Sequence, residues 1–117
     1  MKFLFLIYYD ENKLKTMPDD ERNALYAEAY ANYDQMSRNG HGLSGDPLDW
    51  SENASTVRVQ GGKATVTDGP YVETKEQLGG YILVEARDMD EAVALAAEVP
   101  PARLGGVEVR RIRNMRE

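Results

Sequence analysis

"KFLFLIYY", Lys2 to Tyr9, decides the fold of this 117-residue chain. Successive side chains of a strand point to opposite faces, so Phe3, Phe5, Ile7 and Tyr9 share one face and Leu4, Leu6 and Tyr8 the other. Both faces are apolar, which places the strand inside a sheet rather than at its edge. "GYILVEA", Gly80 to Ala86, has the same property, with Tyr81 and Leu83 set against Ile82 and Val84. Two strands of this kind need a sheet built around them.

The segments between supply the rest. "TMPDDERNALYAEAYANYDQMSRNG" reads as a helix: Thr16 and Asp19 form a capping-box pattern, Pro18 suits a first turn, and Gly40 ends it. Its apolar stripe is Leu25, Tyr26, Ala29, Tyr30, Tyr33 and Met36. "HGLSGDPLDWSENAS" is irregular, with room for a short extended piece. "STVRVQGGKATVTDG" is two alternating runs joined by Gly61-Gly62, hence a β-hairpin. "DMDEAVALAAEV" is a second helix, capped by Asp88 and Glu91 and stopped by Pro100-Pro101. "GVEVRRI" closes with Val107 and Val109 facing inward. The order β-α-β-β-β-α-β predicts an α+β ferredoxin-like sandwich with a hairpin in its middle. Two helices cover one face of such a sheet. The other, carrying Leu4, Leu6 and Tyr8, is left to a partner, so a homodimer joined sheet to sheet, a dimeric α/β barrel, is expected.

Composition narrows the function classes. One domain accounts for the whole length, and 42% hydrophobic with 29% charged residues is ordinary for a globular protein. A net charge of −6 argues against a direct nucleic-acid binder, and the arginines Arg103, Arg110, Arg111, Arg113 and Arg116 read as a solvated edge and tail. No apolar run reaches the roughly 18 residues of a membrane span. The N-terminal run is followed at once by Asp10-Glu11, unlike a signal peptide. With no cysteine, a reducing, cytoplasmic setting is expected, and disulfides and thiolate metal sites are excluded.

Little in the chain advertises chemistry. His41, the sole histidine, sits in the loop "NGHGLSG"; without a ligating companion it predicts no metal and no heme, and neither metal nor cofactor is expected. Tyr26, Tyr30 and Tyr33 either line a pocket between helix and sheet or pack a core edge with their hydroxyls in water. Trp50, in "DPLDWSE", suits a ligand lid and an interface plug equally. "TDGPYVETKEQLGGY", Thr67 to Tyr81, is the densest unusual stretch. Read locally, Asp68-Gly69-Pro70 is a turn, and Thr74 with Gln77 caps one helical turn, "KEQL", closed by Gly79-Gly80. Read functionally, Asp68 and Glu73 bracket Tyr71 at a pocket on the sheet edge, where a partly desolvated carboxylate acts as general acid or base.

The same stretch carries a resemblance. "DGP-x-x-ETKEQLGGY", within Val66 to Ile112 and extending weakly to "MKFLFLIYYDE" and "MPDDERNAL", resembles the YCII-related proteins, in the branch named for its D-G-P-F motif. Tyr71 stands where that name has Phe; Asp68, Gly69, Pro70, Glu73, Thr74, Lys75, Glu76, Gln77, Gly79 and Gly80 match. The resemblance implies a ferredoxin-like protomer that dimerises, with some members linked to extracytoplasmic-function sigma factors and some wider relatives acting as small enzymes. In those enzymes a first-helix histidine pairs with an aspartate; residues 19–39 here contain no histidine. Two readings follow. The first is a dimeric small-molecule-binding or regulatory protein, with a small-molecule ligand or a sigma factor as partner and Tyr71, Lys75, Gln77, Tyr30 and His41 as candidate contacts. The second is a cofactor-independent lyase or isomerase in which Asp68 or Glu73 moves a proton and Lys75 holds an anionic group.

Overall fold

The computed structural model describes residues 1–116. Strand β1 (Lys2–Tyr9) lies between β5 (Gln77–Glu85) and β6 (Gly105–Arg111), and β2 (Gly42–Pro47) adds to the outer side of β5. All three pairings are antiparallel, giving the order β2-β5-β1-β6. The register sets Phe5 beside Ile82 on one side and Val109 on the other. Phe3, Phe5 and Val84 are fully enclosed, as a two-sided apolar strand at the sheet centre requires.

Helices cover the face that carries those phenylalanines. Leu25 and Met36 of α2 (Asp19–Arg38) and Ala92 and Ala96 of α3 (Met89–Ala96) join the same buried cluster. Alanines on α3 let its backbone approach the sheet closely. Asp88 caps α3 as its sequence predicts, accepting from the Glu91 N–H at 2.9 Å, while the Glu91 carboxylate accepts from the Arg87 N–H at 2.8 Å. The opposite face of the sheet has no helix over it. Leu4, Leu6, Tyr8, Tyr81 and Leu83 are only half-buried there, and the molecule is just 19 Å thick along its shortest axis, the depth of two layers.

Four local expectations are corrected. A short helix, α1 (Glu11–Thr16), precedes α2. Asp10 caps it by accepting from the Asn12 N–H at 2.9 Å, and Thr16 spends its hydroxyl on the Asn12 carbonyl at 2.7 Å instead of capping α2. Proline forces the break, because the residue before it is driven out of helical geometry, and Met17 sits at φ −64° and ψ 141°. Second, Gly42–Pro47, read as mostly irregular, forms a full edge strand, its conformation imposed by the β5 ladder. Third, "KEQL" forms no helical turn. Gln77 and Leu78 pair with Tyr9 and Tyr8, and extending an existing ladder outcompetes a single turn with a costly nucleus. Fourth, the hairpin of β3 (Ser55–Gln60) and β4 (Lys63–Asp68) is a separate two-stranded sheet.

That hairpin turns through Gly61 and Gly62, both at positive φ, as expected for a two-residue connection. It stands away from the body, and its strands are exposed almost throughout. The radius of gyration of 16.0 Å reflects this projection, since a compact chain of this length has about 13 Å.

Gly79 has a tighter constraint. The Tyr9 ring lies directly against it: a Cβ there would come within 2.1 Å of the ring, and the Tyr9 hydroxyl donates to the Gly79 carbonyl at 3.3 Å. Gly79→Ala is therefore expected to cost about 1–3 kcal/mol by overpacking. Urea unfolding measures the loss, and in a Tyr9→Leu background the same substitution should cost distinctly less.

Candidate functional site

A cleft of about 600 Å³ opens between α2 and the β2–β5 side of the sheet. It exists because glycines interrupt the sheet face beneath α2 at that end. Gly45 pairs with Ile82, and Pro47 with Gly80, so the floor has little side chain to fill the space beneath the helix. Tyr26, Tyr30 and Tyr33 of α2 line the cleft from above, which explains why the centre of that apolar stripe is not buried: Tyr30 is 63% exposed, whereas Leu25 and Met36 at its ends are enclosed. Trp50 and the Pro100-Pro101 pair complete the apolar wall.

Trp50 is held by its neighbours on both sides. Glu11, only 7% exposed at the start of α1, accepts from the Ser51 N–H at 3.0 Å and from the Ser51 hydroxyl. Asp49 accepts from the Trp50 N–H at 2.7 Å. The Glu11 N–H in turn donates to the Gln77 side-chain carbonyl at 3.0 Å, so α1, the Trp50 turn and the start of β5 form one hydrogen-bonded unit. The Lys15 ammonium, 2.9 Å from Glu52, stacks 4.8 Å from the centre of the Trp50 ring.

The polar groups lining the cleft are acidic or neutral. Asp34, Asp46 and Asp49 border it, and among the described residues no lysine, arginine or histidine does. Asp46 accepts from the Tyr81 hydroxyl at 3.1 Å, and that hydrogen bond pushes the Tyr81 pKa above its ordinary value. Burial pushes Tyr9 up as well, with smaller contributions from Tyr26 and Glu11, so its phenol stays a donor.

The residues singled out in the sequence are scattered across this geometry. Tyr30 borders the cleft. Tyr71 and Gln77 border a second cavity of about 540 Å³, between the hairpin base and the open sheet face, together with Tyr8, Trp50, Pro70 and Leu78. Tyr71 itself is 67% exposed, with the Arg58 guanidinium 4.5 Å from its ring centre. Gln77 is occupied at both ends, by the Glu11 N–H and by the Thr74 carbonyl, to which it donates at 2.6 Å. Asp68, Glu73 and Lys75 are exposed and line neither cavity. The turn at Asp68 is pinned instead by Gly69, whose N–H donates to the Ala54 carbonyl at 2.7 Å and whose carbonyl accepts from the Thr56 hydroxyl at 2.8 Å. His41 lies at the end of the β2–β5 ladder, where its Nδ1–H donates to the Glu85 carbonyl at 2.9 Å. Among the described residues no group of acidic and imidazole side chains is arranged to hold a metal ion, and no helix is long and apolar enough to cross a membrane.

Sequence reasoning missed the acidic rim and the buried Glu11. Asp34 and Asp46 look like ordinary surface acids until the glycines of β2 and β5 open a space beside them. Replacing Glu11 with Gln removes a charge-assisted bond to Ser51, with an expected cost of about 1–3 kcal/mol. Trp50, the sole tryptophan, should then shift its emission to the red as its turn loosens; an unchanged spectrum and an unchanged urea midpoint would refute the tie.

Comparison with known proteins agrees with this architecture. A protein of Rhizobium meliloti (strain 1021), "Uncharacterized protein R00369", is 42% identical over 59 residues. That match takes in 49% of this chain and 48% of the relative, so about half the length of each is aligned. The fold is similar to that of 5-chloro-2-hydroxyhydroquinone dehydrochlorinase from Burkholderia phenoliruptrix AC1100, solved in complex with 2,5-dihydroxybenzoquinone, with a TM-score of 0.56 at 19% identity over 97% of this chain and 95% of that one. The YCII-related domain matches residues 1–116, and the chain belongs to that family.

Proposed function

We propose that this protein is a homodimeric small-molecule-binding protein whose aromatic cleft takes a compact ligand with a planar ring. The cleft carries the reading. Its volume falls within the range of small-ligand sites, and its walls are mostly apolar and aromatic with a few polar groups at the rim, the usual make-up of such sites. The dehydrochlorinase of similar fold is complexed with a planar six-membered ring, which suits the reading without carrying it, because one fold hosts many functions.

In this reading the protomer is ferredoxin-like, and two of them pair across the open sheet face into a dimeric α/β barrel. The support is the apolar, half-buried row formed by Leu4, Leu6, Tyr8, Tyr81 and Leu83, with no layer over it. The hairpin adds a second uncovered apolar surface, since Val57 and Val66 are cross-strand partners and are 59% and 62% exposed. A proton-transfer role for Asp68 or Glu73 has less behind it, because both carboxylates lie in solvent, outside the cavities.

Because Trp50 borders the cleft as well as the second cavity, its fluorescence reports occupancy, and a substitution inside the cleft tells the two apart. Ring compounds should quench or shift it saturably, and Ala29→Phe, which fills the cleft from α2, should weaken that response by at least about tenfold. A response unchanged in Ala29→Phe would place binding elsewhere. Light scattering should give the mass of two chains, and Leu6→Lys on the open face should shift it toward one. A single-chain mass for the unsubstituted protein at micromolar concentration would overturn the dimer.

A further inference from the structure

The charge pattern around the cleft narrows its ligand further. This step rests on the small-molecule reading above and assigns that ligand a chemical class. Three carboxylates border the space, on three separate pieces of chain: Asp34 on α2, Asp46 on β2, and Asp49 just before Trp50. Among the described residues none of the three takes part in a salt bridge, while Asp19, Glu28, Glu52 and Glu91 do. The hydrogen-bond donors that reach Asp46 and Asp49 are neutral: the Tyr81 hydroxyl, the Trp50 N–H and the Asn53 side-chain amide. Such donors orient a carboxylate and leave its charge in place.

The rings add to the same field. Tyr26, Tyr30, Tyr33 and Trp50 present π-faces or edges to one cleft, and an aromatic face attracts a cation through its quadrupole. Trp50 already receives an ammonium on its ring, that of Lys15, although Lys15 does not line the cleft. Among the described residues no cationic side chain borders the cleft to pair with a ligand carboxylate, sulfate or phosphate. A net charge of −6 over the whole chain draws cations toward it and repels anions.

We infer that the cleft binds an organic cation, an amine or quaternary ammonium carried on a planar or apolar body. The body lies over the glycine floor against the tyrosines, and the cationic end reaches Asp34 on α2 and, around the β2 edge, Asp46, whose carboxylate is on the Tyr81 side of the sheet. An anionic ligand of the same shape would meet three carboxylates with no compensating cation.

Three probes that share a para-substituted phenol ring and differ in the charge of the tail test this directly: tyramine, 4-ethylphenol and 4-hydroxyphenylacetate. Binding is followed by Trp50 emission under excitation that spares the phenols, and independently by calorimetry. Tyramine should bind about tenfold more tightly than 4-ethylphenol, and 4-hydroxyphenylacetate most weakly. Added salt should weaken tyramine and leave 4-ethylphenol nearly unaffected. Asp34→Asn and Asp46→Asn should each lower the tyramine to 4-ethylphenol affinity ratio several-fold, whereas Asp90→Asn on α3 should not move it. Equal affinity for all three probes, or a preference for the anion, overturns the cation assignment while leaving the cleft a ligand site. No saturable response to any of the three, by either method, overturns the small-molecule reading as well.

Discussion

Enclosure of the inner face of β1 is the constraint on which the rest of the structure depends. Phe3 and Phe5 are 1% and 0% exposed, and that requires a strand on each side and a helical layer above. β5 and β6 supply the flanks, and α2 and α3 the cover. Burying side chains of this size contributes roughly 1.5–3 kcal/mol each, so displacing any one of these elements uncovers more than a domain of this size tolerates. The connections are then nearly determined. Each neighbour of β1 runs antiparallel to it, and the hairpin between β2 and β5 is free to project because it contributes nothing to that core.

The cleft follows from the same arrangement. α2 is a 20-residue helix with only Leu25 and Met36 buried, so it is anchored near its ends and spans the sheet between them. Under its middle lie Gly45 and Gly80; the Tyr33 ring packs against Gly45, whereas Tyr26 and Tyr30 stay exposed over the gap. Residues that would fill a core in another context border a space instead. The hydrogen bonds that Ser51 donates to Glu11 and the Trp50 backbone N–H donates to Asp49 fix the turn that carries the indole at one end of that space. In this way a stability feature, a buried carboxylate capping a turn, also shapes the site.

The family signature has a different physical role from the one its density suggests. Gly79 and Gly80 are small because one lies under the Tyr9 ring and the other floors the cleft. Gln77 joins α1 to β5 through its amide. Gly69 pins the hairpin base to Ala54 and Thr56. The stretch is a junction where hairpin, central sheet and first helix meet, and its acidic side chains Asp68 and Glu73 are exposed and line neither cavity.

Much of the fold was legible from periodicity, because two-sided apolar strands, a glycine-glycine hairpin and an Asp88–Glu91 cap are local patterns with one physical solution each. The chain by itself determined which strands are central, where the hairpin turns and that two faces of the sheet are apolar. Edge strand β2, the separate α1 and the strand conformation of Gln77–Leu78 were not legible, since each is decided by a ladder or a proline break in competition with a weak local preference. Only the tertiary structure decided the site. Whether three tyrosines fill a core or border a cleft depends on what lies opposite them, and there stand Gly45 and, more than forty residues away in sequence, Gly80, neither with a side chain to fill the space. The acidic rim is a property of the same assembly, because Asp34, Asp46 and Asp49 come together only once α2 has been laid across the edge of the sheet.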